Sequence, residues 1–421
     1  MERMSAILLP VTSLPSRGGI GTLGREASHF LSFLKRSGVE VWQMLPLGPT
    51  GYGDSPYSPL SSFAGNPYLI DPVLLHEDGL LKDEDFFPVA ACKYGDVDYG
   101  WVYETRFIML EAAWRRGREM LAEEFSVYRR TCSQDIRNYA LYSAFKERNG
   151  MTAWYTWKGP ERSIRTADQA IDDGIRERAE FYEFCQFLFD RQFTAFRKQA
   201  QDMGIQLMGD IPFYAAADSA DVWADPECFR LFEDGAPREV AGVPPDYFSE
   251  DGQLWGNPLY NWDFLKKQDY EWIRRRIAAT ADKFDIIRLD HFRGYDTYWC
   301  VQAGEETAKI GKWEQGPGRE FVDMLSASFP HTVFIAEDLG DLSESVVELL
   351  KYSGYPGMKV LEFGFYEDSV SGYLPHNHSK NCIVYTGTHD NDTAGGWLAE
   401  VSEKDRVETA PERSRSTEKT P

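Results

Sequence analysis

Six cysteines and seven histidines are spread through 421 residues. The cysteines (Cys92, Cys132, Cys185, Cys228, Cys300 and Cys382) form no CxxC pair and no zinc-type spacing. That scatter excludes a disulfide framework and fits a reducing compartment with free thiols. Positive charge is also short: 45 Lys and Arg against 67 Asp and Glu leave a net charge of −22. Nucleic acid and anionic membrane surfaces both need a basic footprint, so neither is an expected partner. No apolar run approaches the roughly 20 residues that cross a bilayer. The run that follows Met4 is stopped by Pro10, too early for a secretory h-region, so a cytoplasmic location is expected.

What the chain does contain is a repeating unit: a short apolar run, polar or acidic residues at its end, then a helix-period segment. The runs are Ile7 to Val11, Val41 to Leu47, Ile205 to Met208, Ile286 to Leu289, Val333 to Ala336, Met358 to Phe365 and Ile383 to Tyr385. Such alternation predicts βα units and a parallel sheet. The predicted fold class is α/β, a (β/α)₈ TIM barrel, with a doubly wound open sheet as the competitor. Residues 1–71 would supply the first two strands. Residues 72–201, which read mainly as helix, would form an inserted subdomain after strand two. Residues 202–400 would supply strands three to seven, with a long loop at about 242–262. From 401 to 421, ten of 21 residues are charged, so this tail is expected to be disordered and strand eight to be absent. An open edge between strands one and seven would then lower stability and activity.

Four of the apolar runs end in acids: Gly209-Asp210, Leu289-Asp290-His291, Ala336-Glu337-Asp338 and Thr388-His389-Asp390. A barrel gathers the carboxyl ends of its strands around one cavity. A ring of carboxylates there suits glycosidic cleavage, whose transition state is oxocarbenium-like. It also suits a hard cation, which seeks clustered oxygens. Taken singly, each acid could equally cap a helix or pair with arginine. Arg288 lies two residues before Asp290, on the same strand face, and would keep Asp290 ionised. Glu337, at the end of a largely apolar strand, would have its pKa raised and could donate a proton. Tyr52, Tyr57, Tyr247 and Trp255 lie in glycine- and proline-rich loops, where aromatic faces with polar neighbours match sugar rings.

Several stretches carry a family resemblance. Ser13-Leu14-Pro15-Ser16, Gly51 to Pro72 (GYGDSPYSPLSSFAGNPYLIDP), Asp218 to Trp223 and Gly242 to Trp262 are the first four. Arg288 to Gly294 (RLDHFRG), Ala336 to Gly340, Gly354 to Phe365 and Thr388 to Asp392 complete the set. From about Ile7 to about Trp397 the chain resembles the 4-α-glucanotransferase (amylomaltase, disproportionating enzyme) family, whose barrel is related to that of the α-amylases. The resemblance implies Asp290 as nucleophile, Glu337 as acid/base and Asp390 as transition-state stabiliser. It implies that Arg288, Asp210, His389 and His291 support the sugar, and that Tyr57, Gln253 and Trp255 line the subsites. Phe248 and Trp255 would cover the cleft against water. It implies maltooligosaccharides and α-1,4-glucans as partners, with no metal and no organic cofactor. Three alternatives remain open at this stage: plain α-glucan hydrolysis, glucan binding without turnover, and a Schiff-base lyase using Lys359. Oligomeric state is not legible.

Overall fold

Seven short strands alternate with helices and lie parallel to one another. The structure, a computed structural model, describes residues 3–87, 96–245, 249–340, 342–365 and 372–400. Its strands are β1 (Ala6–Leu8), β2 (Val41–Gln43), β3 (Gln206–Ile211), β4 (Glu239–Val243), β5 (Gln253–Pro258) and β6 (Ile286–Leu289). They continue with β7 (Thr297–Gln302), β8 (Gly311–Gln315), β9 (Val333–Ala336), β10 (Gly357–Val360) and β11 (Cys382–Tyr385). The helices are α1 (Arg25–Arg36), α2 (Pro72–Glu77), α3 (Tyr99–Met120), α4 (Ala122–Thr131), α5 (Gln134–Arg148) and α6 (Asp173–Asp202). After these come α7 (Ala220–Ala224), α8 (Trp262–Lys267), α9 (Glu271–Ala281), α10 (Arg319–Ser328), α11 (Glu344–Ser353) and α12 (Ala394–Glu400).

The parallel order is β1-β2-β3-β6-β9, followed by the β10-β11 pair. A bond from Ala336 N to Pro356 O (3.0 Å) joins β9 to the entry of β10. This is the order of a (β/α)₈ barrel, with seven of its parallel strands among the described residues. Pleating explains its two-sided packing. Val41, Met208, Ile286, Ile335 and Met358 point inward as one buried cluster. Ile287, Leu289, Phe334 and Ala336 point outward, in one cluster with α9, α10 and α11. Two residues beyond Met208 and Ile286 on the inward face stand Asp210 and Arg288. The inner wall therefore changes from apolar to charged towards the carboxyl ends of the strands.

Helix α1 ends at Arg36, and Gly38 (φ +71°) takes the left-handed position beyond it, as the glycine signal predicts. The NPYLIDP stretch is a double start signal. Asn66 accepts a bond from Tyr68 N, and Asp71 accepts from Val73 N and Leu74 N ahead of Pro72, capping α2. Asp71 also presses on Gly24, where any Cβ would lie 2.0 Å from its carboxylate. Much of that motif's specificity is thus a folding requirement.

The region between β2 and β3 is helical, and α6 is its longest element. The predicted stripe Phe181, Phe184, Cys185 and Leu188 is buried on α6. Those side chains share one core with Met109, Leu110 and Trp114 of α3, Phe125 of α4, and Trp42 and Leu207 of the sheet.

Two expectations are corrected. The segment 242–262 is not simply a loop: β5-β4-β7-β8 form a four-stranded antiparallel sheet. Here β4 pairs with β5 and β7, and β7 pairs with β8. Also, the run ending at Phe365 leaves the strand at Val360, and Leu361–Phe365 is a 3₁₀ turn. Tyr247 and Phe248 and the tail 401–421 lie outside the described residues. No described helix is long and apolar enough to cross a membrane.

Candidate active site

Strand register assembles the acids. Asp210 pairs with Arg288, and Ile211 with Leu289, across β3 and β6. Leu289 pairs with Ala336 across β6 and β9. Asp290 and Glu337 therefore stand one residue beyond a register pair, on adjacent strands. The backbone stitches these ends together: Asp290 N donates to Ile211 O (3.1 Å), Glu337 N to Leu289 O (3.0 Å) and Phe292 N to Glu337 O (3.0 Å).

Arg288 is the electrostatic hub. Its Nη1 lies 2.9 and 2.7 Å from the two oxygens of Asp210 and 2.9 Å from Asp290 Oδ1. Burial works against its charge, yet Asp210 and Asp290 hold its pKa well above the ordinary arginine value. Asp210 is fully enclosed, whereas the Asp290 side chain keeps 24% exposure and so reaches the cleft. Glu337 is half-buried and accepts two backbone bonds, from His291 N (2.9 Å) and Leu339 N (2.7 Å).

Burial raises both catalytic-type carboxyls. Glu337 is pushed up to about 7, with Arg288 opposing and the charge of Asp290 reinforcing. Asp290 is pushed up to about 6, again chiefly by burial, with Arg288 opposing. Arg288 thus favours the ionised form of Asp290, as expected, although desolvation outweighs that one guanidinium. The order survives, because the direct ion pair and the residual exposure make Asp290 the first of the two to ionise.

Tyr57 closes one side. Its hydroxyl donates to Asp210 Oδ2 (2.7 Å) and lies 2.8 Å from His389 Nε2, and its ring stacks on that imidazole at 5.4 Å and 8°. Both bonds are satisfied when His389 is neutral and carries its proton on Nε2, an assignment made from the network. Burial lowers the pKa of His389, in keeping with that state. Asp390 follows on the same loop with its side chain 72% exposed, and its Oδ2 lies 3.4 Å from His389 Nε2. It is the most open of the three expected acids, yet its charge reaches Asp210 and Asp290 and raises both.

An aromatic wall adjoins through His291. This residue adopts φ +47°, so its N–H meets Glu337 while its ring turns towards Trp255 (4.9 Å, edge-on), Phe213 (5.8 Å) and Tyr214 (6.4 Å). Burial, then Arg293, press its pKa down to about 3, so it stays neutral. Trp255 Nε1 donates to Gln253 Oε1 (3.1 Å); Gln253 is exposed and Trp255 is 37% exposed. All ten expected site residues thus fall into one carboxylate cluster or its adjoining aromatic wall.

Sequence reading missed Phe213, Tyr214, Gln43 and Tyr385. The Tyr385 hydroxyl donates to Gln43 Oε1 (2.8 Å) across the sheet interior, close enough for Arg288 to influence it. Gln43 had a signal: it is the one non-apolar position in the run Val41 to Leu47. Lys359 lies over the Tyr373 ring at 5.1 Å. Among the described residues, Glu239, Cys300 and Glu314 bring possible metal-ligating atoms together, but Arg230 and Lys312 already pair with both acids.

A parallel α/β sheet with acids from successive strand ends around one cleft defines a carbohydrate-active enzyme of the (β/α)₈ class. The family profile described as 4-alpha-glucanotransferase matches residues 9–421, running through the polar tail rather than stopping near Trp397. The chain belongs to the 4-alpha-glucanotransferase family. It is 40% identical over 414 residues to the 4-alpha-glucanotransferase of Clostridium butyricum, covering 97% of this chain and 84% of that one. The Thermus thermophilus 4-alpha-glucanotransferase is 44% identical over 408 residues, covering 94% and 80%. Among solved structures, an amylomaltase from Streptococcus agalactiae in complex with acarbose matches with TM-score 0.90 and 37% identity. That match covers all of this chain and 86% of the other.

Proposed function

We propose that the chain moves segments of α-1,4-glucan from donor to acceptor maltooligosaccharides by a retaining double displacement. Glu337 protonates the glycosidic oxygen while the Asp290 carboxylate attacks the anomeric carbon, and the bond to the leaving sugar breaks. The product is a glycosyl ester on Asp290 and an ionised Glu337. Glu337 then takes the proton of an incoming glucan hydroxyl, which displaces Asp290 from the same face. Asp390 holds sugar hydroxyls and stabilises the positive ring as it flattens. Arg288, Asp210, Tyr57, His389 and His291 bind the sugar beside the cut. Gln253 and Trp255 line the cleft and disfavour water as the acceptor. No step requires a metal or organic cofactor. We further propose residues 72–201 as an insertion on a barrel made by 1–71 and 202–400.

The observation that carries this reading is the placement of Asp290 and Glu337 on neighbouring strands, one residue past a register pair. Neighbouring strands run about 4.8 Å apart. Retaining glycosidases hold their two carboxyls about 5–5.5 Å apart, against about 6.5–9.5 Å in inverting ones. The test is to incubate the chain with maltotriose and size the products, with Asp290→Ala as control. Glucose together with chains longer than maltotriose is the expected result. Only shorter chains would mean hydrolysis, and bound but unchanged maltotriose would mean binding without turnover.

A further inference from the structure

The first four residues of β5, Gln253 to Gly256, are all exposed, so no core of their own fixes them. β5 is also an edge strand, paired with β4 alone, and its register to β4 shifts between Val240 and Gly242. Yet this segment carries Gln253 and Trp255, and Trp255 has to meet His291 beside the carboxylates. Something else must set its position.

The β7–β8 connection is placed to do so. Ala308 on that connection is fully buried, in a small cluster with Val240 of β4 and Val301 of β7. It rests on two bare backbones: a Cβ on Gly252 would be 3.0 Å from the Ala308 methyl, and one on Gly242 would be 3.5 Å away. Ala308 N donates to Asp251 O (3.0 Å), gripping the residue two before Gln253. Lys309 pairs with the Asp251 carboxylate. The connection is held in turn by Trp299, whose Nε1 donates to Ala308 O (2.9 Å) and whose backbone pairs with Gly242.

We infer that Trp299 and Ala308 are positioning residues that set where Gln253 and Trp255 stand over the cleft, and so decide whether a glucan or water completes the second step. The inference rests on the transferase reading above. Trp299 touches no expected substrate group; it acts through Ala308, Asp251 and Gly252. Lys309 adds an exposed ion pair, a kind that contributes little, so its removal should leave the products unchanged.

Trp299→Phe keeps an aromatic ring but loses the N–H together with the five-membered ring, and Ala308→Val adds carbon to a fully buried methyl that faces Gly252 and Gly242. With maltotriose, both variants should raise the hydrolytic share of turnover about fivefold, the equivalent of one lost neutral hydrogen bond. KM for an added glucose acceptor should rise with it. Total cleavage and the pH limits of the rate should stay as in the unaltered chain. Equal loss of transfer and cleavage, following a fall in melting temperature, would overturn the inference and leave only a structural role. An unchanged ratio in Trp299→Phe would overturn it as well, and that variant decides if Ala308→Val does not fold. Failure of the transferase reading has its own signature: the unaltered chain would give only products shorter than maltotriose.

Discussion

Asp290 and Glu337 differ in environment more than in chemistry, and that difference supports the roles proposed for them. Both are desolvated, but only Asp290 touches the Arg288 guanidinium. In the proposed mechanism the productive state has Asp290 ionised and Glu337 protonated. As pH falls through about 6, Asp290 gains a proton and the rate drops; as pH rises through about 7, Glu337 loses its proton and the rate drops again. A narrow bell in kcat/KM is expected, belonging to the pair and not to either residue alone. Glu337→Gln should cost about 10²–10⁴-fold and erase the alkaline limb; an alkaline limb that persists would remove Glu337 from the acid role. Arg288→Lys keeps a cation but loses the rigid planar head that holds Nη1 between Asp210 and Asp290. Its acid limb should move to higher pH, because Asp290 loses part of what holds it ionised. An unmoved limb would show that Asp210, not Asp290, is the group Arg288 serves.

At the scale of elements, the helical region between β2 and β3 is locked to the barrel by a buried cation. Arg106 of α3 is 1% exposed and donates to the carbonyls of Tyr68 (2.6 Å), Ile70 and Gly18 (3.1 Å). Burial lowers its pKa to about 10, with the charge of Asp71 opposing. Arginine reaches these carbonyls from two nitrogens held apart in one plane, whereas lysine offers its donors from a single atom, so Arg106→Lys should destabilise the fold by about 3 kcal/mol. A chemical-denaturation midpoint equal to that of the unaltered chain would exclude this lock. The contact also marks a limit of sequence reading. Parallel strands are legible because most are short apolar runs, and four of those runs end in acids. The antiparallel strands hide themselves: Glu239–Val243 and Gln253–Pro258 contain Gly and Pro that read as turn signals, and β5 is too exposed to show alternation. The three acids stood out because strand ends are where a barrel puts chemistry. Gln43 and Tyr385, 342 residues apart, meet only because the sheet curls. Phe213 and Tyr214 look like ordinary core aromatics until His291 turns towards them.

The molecule as a whole carries a net charge of −22 and keeps several buried carboxyls whose pKa is raised, and both facts act in one direction. Asp221 is 3% exposed and raised to about 6, burial outweighing its bond from Ser62 N (2.8 Å). Between the ordinary value of 3.8 and about 6, the folded chain binds this proton more tightly than the unfolded chain does. Stability therefore falls as pH rises through that window, and the loss is complete above it, at most about 3 kcal/mol for this one residue. Asp290 and Glu337 add the same sign up to about 6 and about 7. Self-repulsion grows over the same range as exposed acids ionise. Glu314 opposes only further down. Burial works against its charge, but bonds from Lys312 and Arg230 hold its pKa at about 2, so its contribution is present above 4.5 and lost below. The melting temperature should thus be highest near pH 4–5 and decline towards pH 7. Salt separates the causes, since half-molar NaCl screens surface repulsion but not a buried proton. Asp221→Asn should flatten the remaining slope between pH 4 and 6 in high salt. A slope that vanishes in salt without the substitution would assign the whole effect to surface charge.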